Sequence, residues 1–199
     1  MYRIFASLLT ASVITTLSAA MKEMVWHEID YGIGIASLPD GWNQAEVTDT
    51  ISIYFPCTGG VQKLRSMATT YRNRDCSIKF EYIIAADTSS LSVDLGKTIL
   101  ETYNFSGYGS NPLMAWTQLG DEYSWKGSLM TEDRAPRDGL WATDFNRRIV
   151  YLRADSGHLH TISAIFPSHK YSSELAHDIM EKIYRSWRVN DRFQIKNDK

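Results

Sequence analysis

The sequence predicts an α+β fold, an antiparallel sheet flanked by helices, and three observations carry that expectation. Segments that alternate apolar and polar residues follow one another along the chain, separated by turns too short for crossovers. Two other segments repeat apolar residues every four positions, the stripe of an amphipathic helix. The order is strands, helix, three strands, helix, which suits a sheet covered by helices.

The first twenty residues read as a cleavable export signal. Arg3 precedes an uncharged stretch in which Leu8, Leu9, Val13, Ile14 and Leu17 are diluted by Thr and Ser, and Ser18-Ala19-Ala20 places small residues where a signal peptidase cuts. A membrane anchor needs roughly 20 strongly apolar residues, and hydroxyl residues interrupt this stretch. The flanks look bacterial. The expected organisation is a signal peptide over 1–20, one domain over 21–190 and a polar tail over 191–199. The expected location is periplasmic or secreted, with no stable membrane insertion after cleavage, because no later stretch is long and apolar enough to cross a bilayer.

Composition narrows the class. With 12% aromatic residues, the chain is too rich in rings for a disordered segment and suits a β-rich domain. A formal net charge of −2 gives no broad electrostatic reason to bind nucleic acid.

In chain order, Val25 to Leu38 reads as a single strand with Ile29, Tyr31, Ile33 and Ile35 on one face. It ends at the turn Pro39-Asp40-Gly41, followed by Trp42. Ile51, Ile53 and Phe55 mark a second strand. Cys76 to Ala86 is a third, with Ile78, Phe80, Tyr82 and Ile84 on one face. Leu91, Leu95, Ile99 and Tyr103 form the first helical stripe, behind Ser89 and Ser90 as caps. Three strands follow over Glu122 to Met130, Leu140 to Arg153 and His158 to Phe166, with a polar turn at Glu132 to Asp138 and a tight one at Asp155-Ser156-Gly157. Leu175, Ile179, Ile183 and Trp187 make the last helical stripe, behind Ser172 and Ser173. Two cysteines, Cys57 and Cys76, fall in the exported part, where an even pair is first read as a disulfide rather than as a reactive thiol.

This layout resembles the PsbP-like family. The residues that carry the resemblance are Pro39-Asp40-Gly41-Trp42 after an early strand, Ile165-Phe166-Pro167 before the final helix, and a terminal Ser186-Trp187-Arg188-Val189. It covers roughly residues 25–189. The resemblance implies an α/β/α sandwich around an antiparallel sheet, and a binding or assembly role without catalysis.

The candidate chemistry is sparse. His158 and His160 share one face of a strand, and His169 follows a turn, but no acidic or Cys ligand is spaced to complete a zinc site. No Gly-x-Ser-x-Gly elbow accompanies the Ser, His and Asp residues. No catalytic residue, metal ligand or cofactor is therefore expected. The aromatic stretch from Tyr103 to Trp125 and the charged segment from Glu132 to Asp138 offer partner-binding candidates, namely Tyr108, Trp125, Arg134 and Arg137. The expected function is an exported, non-catalytic module that binds another envelope or secreted protein. Its alternatives are an immunity-type protein that neutralises an interbacterial toxin, and an envelope hydrolase with an unrecognised site.

Overall fold

The computed structural model describes residues 24–57, 60–74, 76–85, 93–105, 114–137, 140–155 and 158–190. The expected export signal, Tyr108 and the expected polar tail lie outside them. Strands dominate: β1 (Trp26–Asp30), β2 (Gly34–Pro39), β3 (Asn43–Cys57), β4 (Gly60–Asn73), β5 (Cys76–Ala85), β6 (Ala115–Gln118), β7 (Ser124–Arg137), β8 (Leu140–Asp155), β9 (His158–Pro167) and β10 (Arg188–Val189). Two short helices, α1 (Val93–Phe105) and α2 (Ser173–Ser186), complete the described elements.

This corrects the expected α+β sandwich of helices around one sheet. The chain builds two antiparallel sheets, one of three strands in the order β1-β2-β10 and one of seven in the order β3-β4-β5-β9-β8-β7-β6. They pack face to face as an unequal β-sandwich. Tyr31 and Ile33 of the β1–β2 turn, with Ala36 and Leu38 of β2, share a buried cluster with Ile78, Phe80, Ile149, Ile162 and Phe166 of the large sheet.

The segment from Val25 to Leu38 shows why the expectation failed. It is two strands, because the chain reverses at Tyr31-Gly32-Ile33. Gly32 adopts φ +88°, a conformation that disfavours side chains with a Cβ, and its N–H donates to Asp30 Oδ1 at 2.7 Å. The resulting hairpin pairs Asp30 with Ile35 and Trp26 with Pro39. The chain end then adds β10, pairing Arg188 with Ile35 and Val189 with Gly34. A Cβ on Gly34 would collide with the Arg188 carbonyl oxygen and the Tyr31 ring, so glycine permits this closure.

Helix α2 runs beside β2 and packs on β8 and β9 of the large sheet, and the Ser37 N–H of β2 donates to Ser186 Oγ at 2.8 Å. Ala176, Ile179, Met180 and Ile183 are buried, Trp187 follows them into the core, and Leu175 is half-buried. The Ser172 hydroxyl accepts from the Leu175 N–H at 3.2 Å, which caps the helix as the sequence indicates. Trp187 Nε1 donates to the Tyr31 hydroxyl at 2.6 Å, and Tyr31 stacks on Phe80 with ring centroids 4.5 Å apart. Helix, small sheet and large sheet are thereby joined through one ring.

The opposite face of the large sheet is covered differently. α1 lays Ile99 and Leu100 on Leu64, Ile83, Leu152 and Leu159, with Val150 and Ala154 in the same cluster. These residues lie toward one end of the sheet. Strand registers place Thr70, Arg72, Ser77, Lys79, Ser163, Ile165 and Arg148 on the same face toward the other end.

The proposed Cys57–Cys76 disulfide is also corrected. Cys57 pairs with Gly60 at one end of β4, and Cys76 pairs with Asn73 at the other. Thirteen residues of extended strand separate those ends by about 43 Å, whereas bridged Cα atoms lie within about 7 Å. A separation of 19 positions is consistent with loop closure, but an intervening long strand prevents it.

Candidate functional site

The end of the large sheet that α1 leaves uncovered forms an open cavity of about 150 Å³. Its lining comes from four adjacent strands: Thr70 and Arg72 from β4, Ser77 and Lys79 from β5, Ser163, Ala164 and Ile165 from β9, Arg148 and Val150 from β8. Arg72, Ser77, Ile165 and Arg148 form one transverse row, since each pairs with the next. Three strand spacings of about 4.8 Å put the outer two backbones about 14 Å apart, a span over which two long guanidinium side chains can converge. The next row, Thr70, Lys79, Ser163 and Val150, places the ammonium beside two hydroxyls.

The electrostatics are mixed but favour cations. Lys79 Nζ meets Glu81 Oε2 at 2.8 Å, and Glu81 also accepts from the Ser66 hydroxyl at 2.5 Å. Arg148 Nε donates to Thr131 Oγ1 at 3.2 Å, which orients its guanidinium across β7 and β8. On the outer edge Glu46 stands on this face opposite Thr70, and its carboxylate accepts from Thr48 Oγ1 at 3.1 Å. One step along β9 from Ser163, Thr161 is 1% exposed, and its hydroxyl has no hydrogen-bond partner within the protein. The site therefore presents hydrogen-bond donors and positive charge to an acceptor-rich group. An ion-paired ammonium and two guanidiniums have no lone pair with which to act as a general base.

The sequence singles out none of Arg72, Ser77, Lys79, Arg148 and Ser163 as a site residue. Each is an ordinary polar residue in its own strand. Only the strand order β4-β5-β9-β8 brings them together, and β4 was not predicted. The one local signal was the alternation of Ser77, Lys79 and Glu81 on a single face of β5, which the sequence showed as a polar face.

The residues proposed for partner binding fall apart in space. Trp125, on β7, packs against the cluster beneath α1. The Lys97 ammonium lies 3.1 Å from its ring centroid, and its Nε1 donates to the Glu122 carbonyl at 3.0 Å. Trp116 is held similarly, donating to Glu101 Oε1 at 2.8 Å. Arg134 and Arg137 do not sit in a turn. They lie in β7, paired with Thr143 and Leu140. β9 accompanies β8 only over Asn146–Asp155, so the distal part of the β7–β8 hairpin extends past the sheet, at the same end as the cavity.

His158 and His160 pack against aromatic rings. Tyr82 contacts both His158 and His160, at ring-centroid distances of 5.7 and 4.7 Å, and His160 meets Trp187 edge-on at 6.4 Å. His169 sits in an exposed turn beyond the far end of β9. Among the described residues, no group of three His, Cys, Asp or Glu side chains could hold a metal ion.

The chain matches no protein-family model, and no curated protein is significantly similar to it.

Proposed function

We propose that this protein is an exported, non-catalytic binding module that acts on another envelope or secreted protein. The observation that carries the proposal is the end of the seven-stranded sheet that α1 leaves uncovered among the described residues, where Arg72, Lys79 and Arg148 stand among hydroxyls on a floor of paired strands. Four paired strands hold those groups in place before any ligand arrives, which lowers the ordering cost of association. Charges arranged this way steer and orient a partner. The β7–β8 hairpin, with Arg134 and Arg137, extends from the same end and enlarges the surface a partner can meet. Export rests on the N-terminal segment, with its single Arg3, its diluted apolar stretch and its Ser18-Ala19-Ala20 site. No helix among the described residues is long and apolar enough to cross a membrane.

The test is capture from an envelope extract with the tagged mature chain, in parallel with Arg72→Glu and with Arg188→Glu on the small sheet. The proposal expects one partner retained by the wild type and by Arg188→Glu, and lost with Arg72→Glu. Hydrolysis of an envelope substrate by the wild type, with no retained partner, would overturn it in favour of an enzyme.

A further inference from the structure

We infer that the cavity binds an oxyanion, the carboxylate or phosphate group of an acidic ligand, between the Arg72 and Arg148 guanidiniums and the Lys79 ammonium. The inference deepens the binding-module proposal, on which it depends only for the source of the oxyanion. Four observations on the site carry it together.

First, the donors are the right kind. Guanidiniums present planar forks that match two carboxylate or phosphate oxygens, an ammonium adds a compact charge, and charged hydrogen bonds of this type are about twice as strong as neutral ones. Second, the hydroxyls of Thr70, Ser77 and Ser163 line the same cavity and can donate to further oxygens. Third, the size fits. At about 30 Å³ per water, a volume of about 150 Å³ accommodates one oxyanion group with a few waters. Fourth, the polar face continues behind the lining, where Thr161, in the row next to Ser163, is buried with no hydrogen-bond partner for its hydroxyl in the protein.

Among the residues whose side chains are described, two carboxylates stand on this face, Glu81 and Glu46, and neither lines the cavity. Glu81 is engaged by Lys79 and by Ser66 behind the cavity. Glu46 is on the outer strand, exposed, and does not line the cavity. A bound oxyanion would face both guanidiniums without meeting either carboxylate in the lining.

The oxyanion can be free or can belong to an acidic side chain of the partner protein. Calorimetric titration of the mature chain with inorganic phosphate, and separately with a hexapeptide of glutamates, distinguishes the two. Binding of either probe is expected to weaken roughly tenfold in Arg72→Gln and in Arg148→Gln, and to stay unchanged in Arg188→Gln; tenfold corresponds to about 1.4 kcal/mol. A thermal melt of each variant verifies folding, and Arg72, being exposed, gives the variant least exposed to that concern. Peptide binding much tighter than phosphate binding assigns the oxyanion to a partner side chain, and the reverse assigns it to a free anion. Millimolar phosphate and peptide both failing to bind, or binding equally to Arg72→Gln, sinks the inference. A partner captured without anion binding leaves the binding-module proposal standing alone. Anion binding without any captured partner removes the protein partner and keeps the site.

Discussion

Tyrosines show how single residues couple the layers. Burial, above all, raises the Tyr31 hydroxyl well above its ordinary range, against the opposing effect of the hydrogen bond from Trp187. Burial and then the hydrogen bond to Glu181 at 2.9 Å raise Tyr151 in the same direction. An unfolded tyrosine titrates near pH 10. Groups raised above that value contribute stability that is complete below about pH 10 and is lost as the pH climbs toward their folded values. The expected outcome of an absorbance titration at alkaline pH is that Tyr31 and Tyr151 ionise only as the protein unfolds. Ionisation of all eleven tyrosines in a still-folded chain would contradict this account of the core. Glu181 behaves oppositely. Burial disfavours its charge, but hydrogen bonds from Tyr151 and Arg185 together outweigh that, and its carboxyl is lowered. Its contribution is present above its unfolded value of about 4.3 and fades as the pH falls through the lower folded value. In Tyr151→Phe, stability near neutral pH should therefore fall, while the further loss on acidification below about pH 4.3 becomes smaller than in the wild type. The same scale shows what a sequence can disclose: aromatic content announced a β-rich core, but nothing local announced that Tyr31 would meet Trp187 across 156 positions.

At the scale of the element, the helices were legible and several strands were not. The four-residue repeat of Ile179, Ile183 and Trp187 fixed the buried face of α2, because one face of a helix against a core leaves a clean periodic signal. Ile183 is fully buried, so Ile183→Ala should cost on the order of 2–5 kcal/mol in chemical denaturation. A loss below about 1 kcal/mol would mean that the site collapses around the deletion or that α2 docks loosely. Strand β4 left no such signal. Leu64, Ser66 and Ala68 are buried on one face, Thr69 and Tyr71 on the other. A strand buried on both faces reads as a mixture with no alternation. β1 and β2 were merged because their apolar residues keep the same alternation through the turn at Gly32. Gly34→Ala tests that hairpin's closure against β10. The added Cβ meets a backbone carbonyl that cannot rotate away, and overpacking of this kind costs about 1–3 kcal/mol. Its melting temperature should fall, whereas a melting temperature equal to wild type would show that β10 is displaced without consequence.

For the whole molecule, the order of strands makes the function arguable. Helix and strand counts alone could not have placed Arg72 near Arg148, since 76 positions and four intervening elements, β5, α1, β6 and β7, separate them. The insertion of β9 between β5 and β8 assembles the row Arg72, Ser77, Ile165 and Arg148. Among the described residues, α1 covers one end of that face and leaves the polar row at the other end open. The β7–β8 hairpin, expected as a polar turn, instead carries Arg134 and Arg137 out beyond the same end. The most direct test of this account places a photo-crosslinking residue at Ser163, in the middle of the open end, and separately at Glu28 on the exposed side of the small sheet. Both variants are expressed in cells that export the chain and are irradiated there. The account expects one discrete crosslinked protein from position 163, reduced by the additional change Arg72→Glu, and none from position 28. Crosslinking that is equal at the two positions, or confined to position 28, would contradict it.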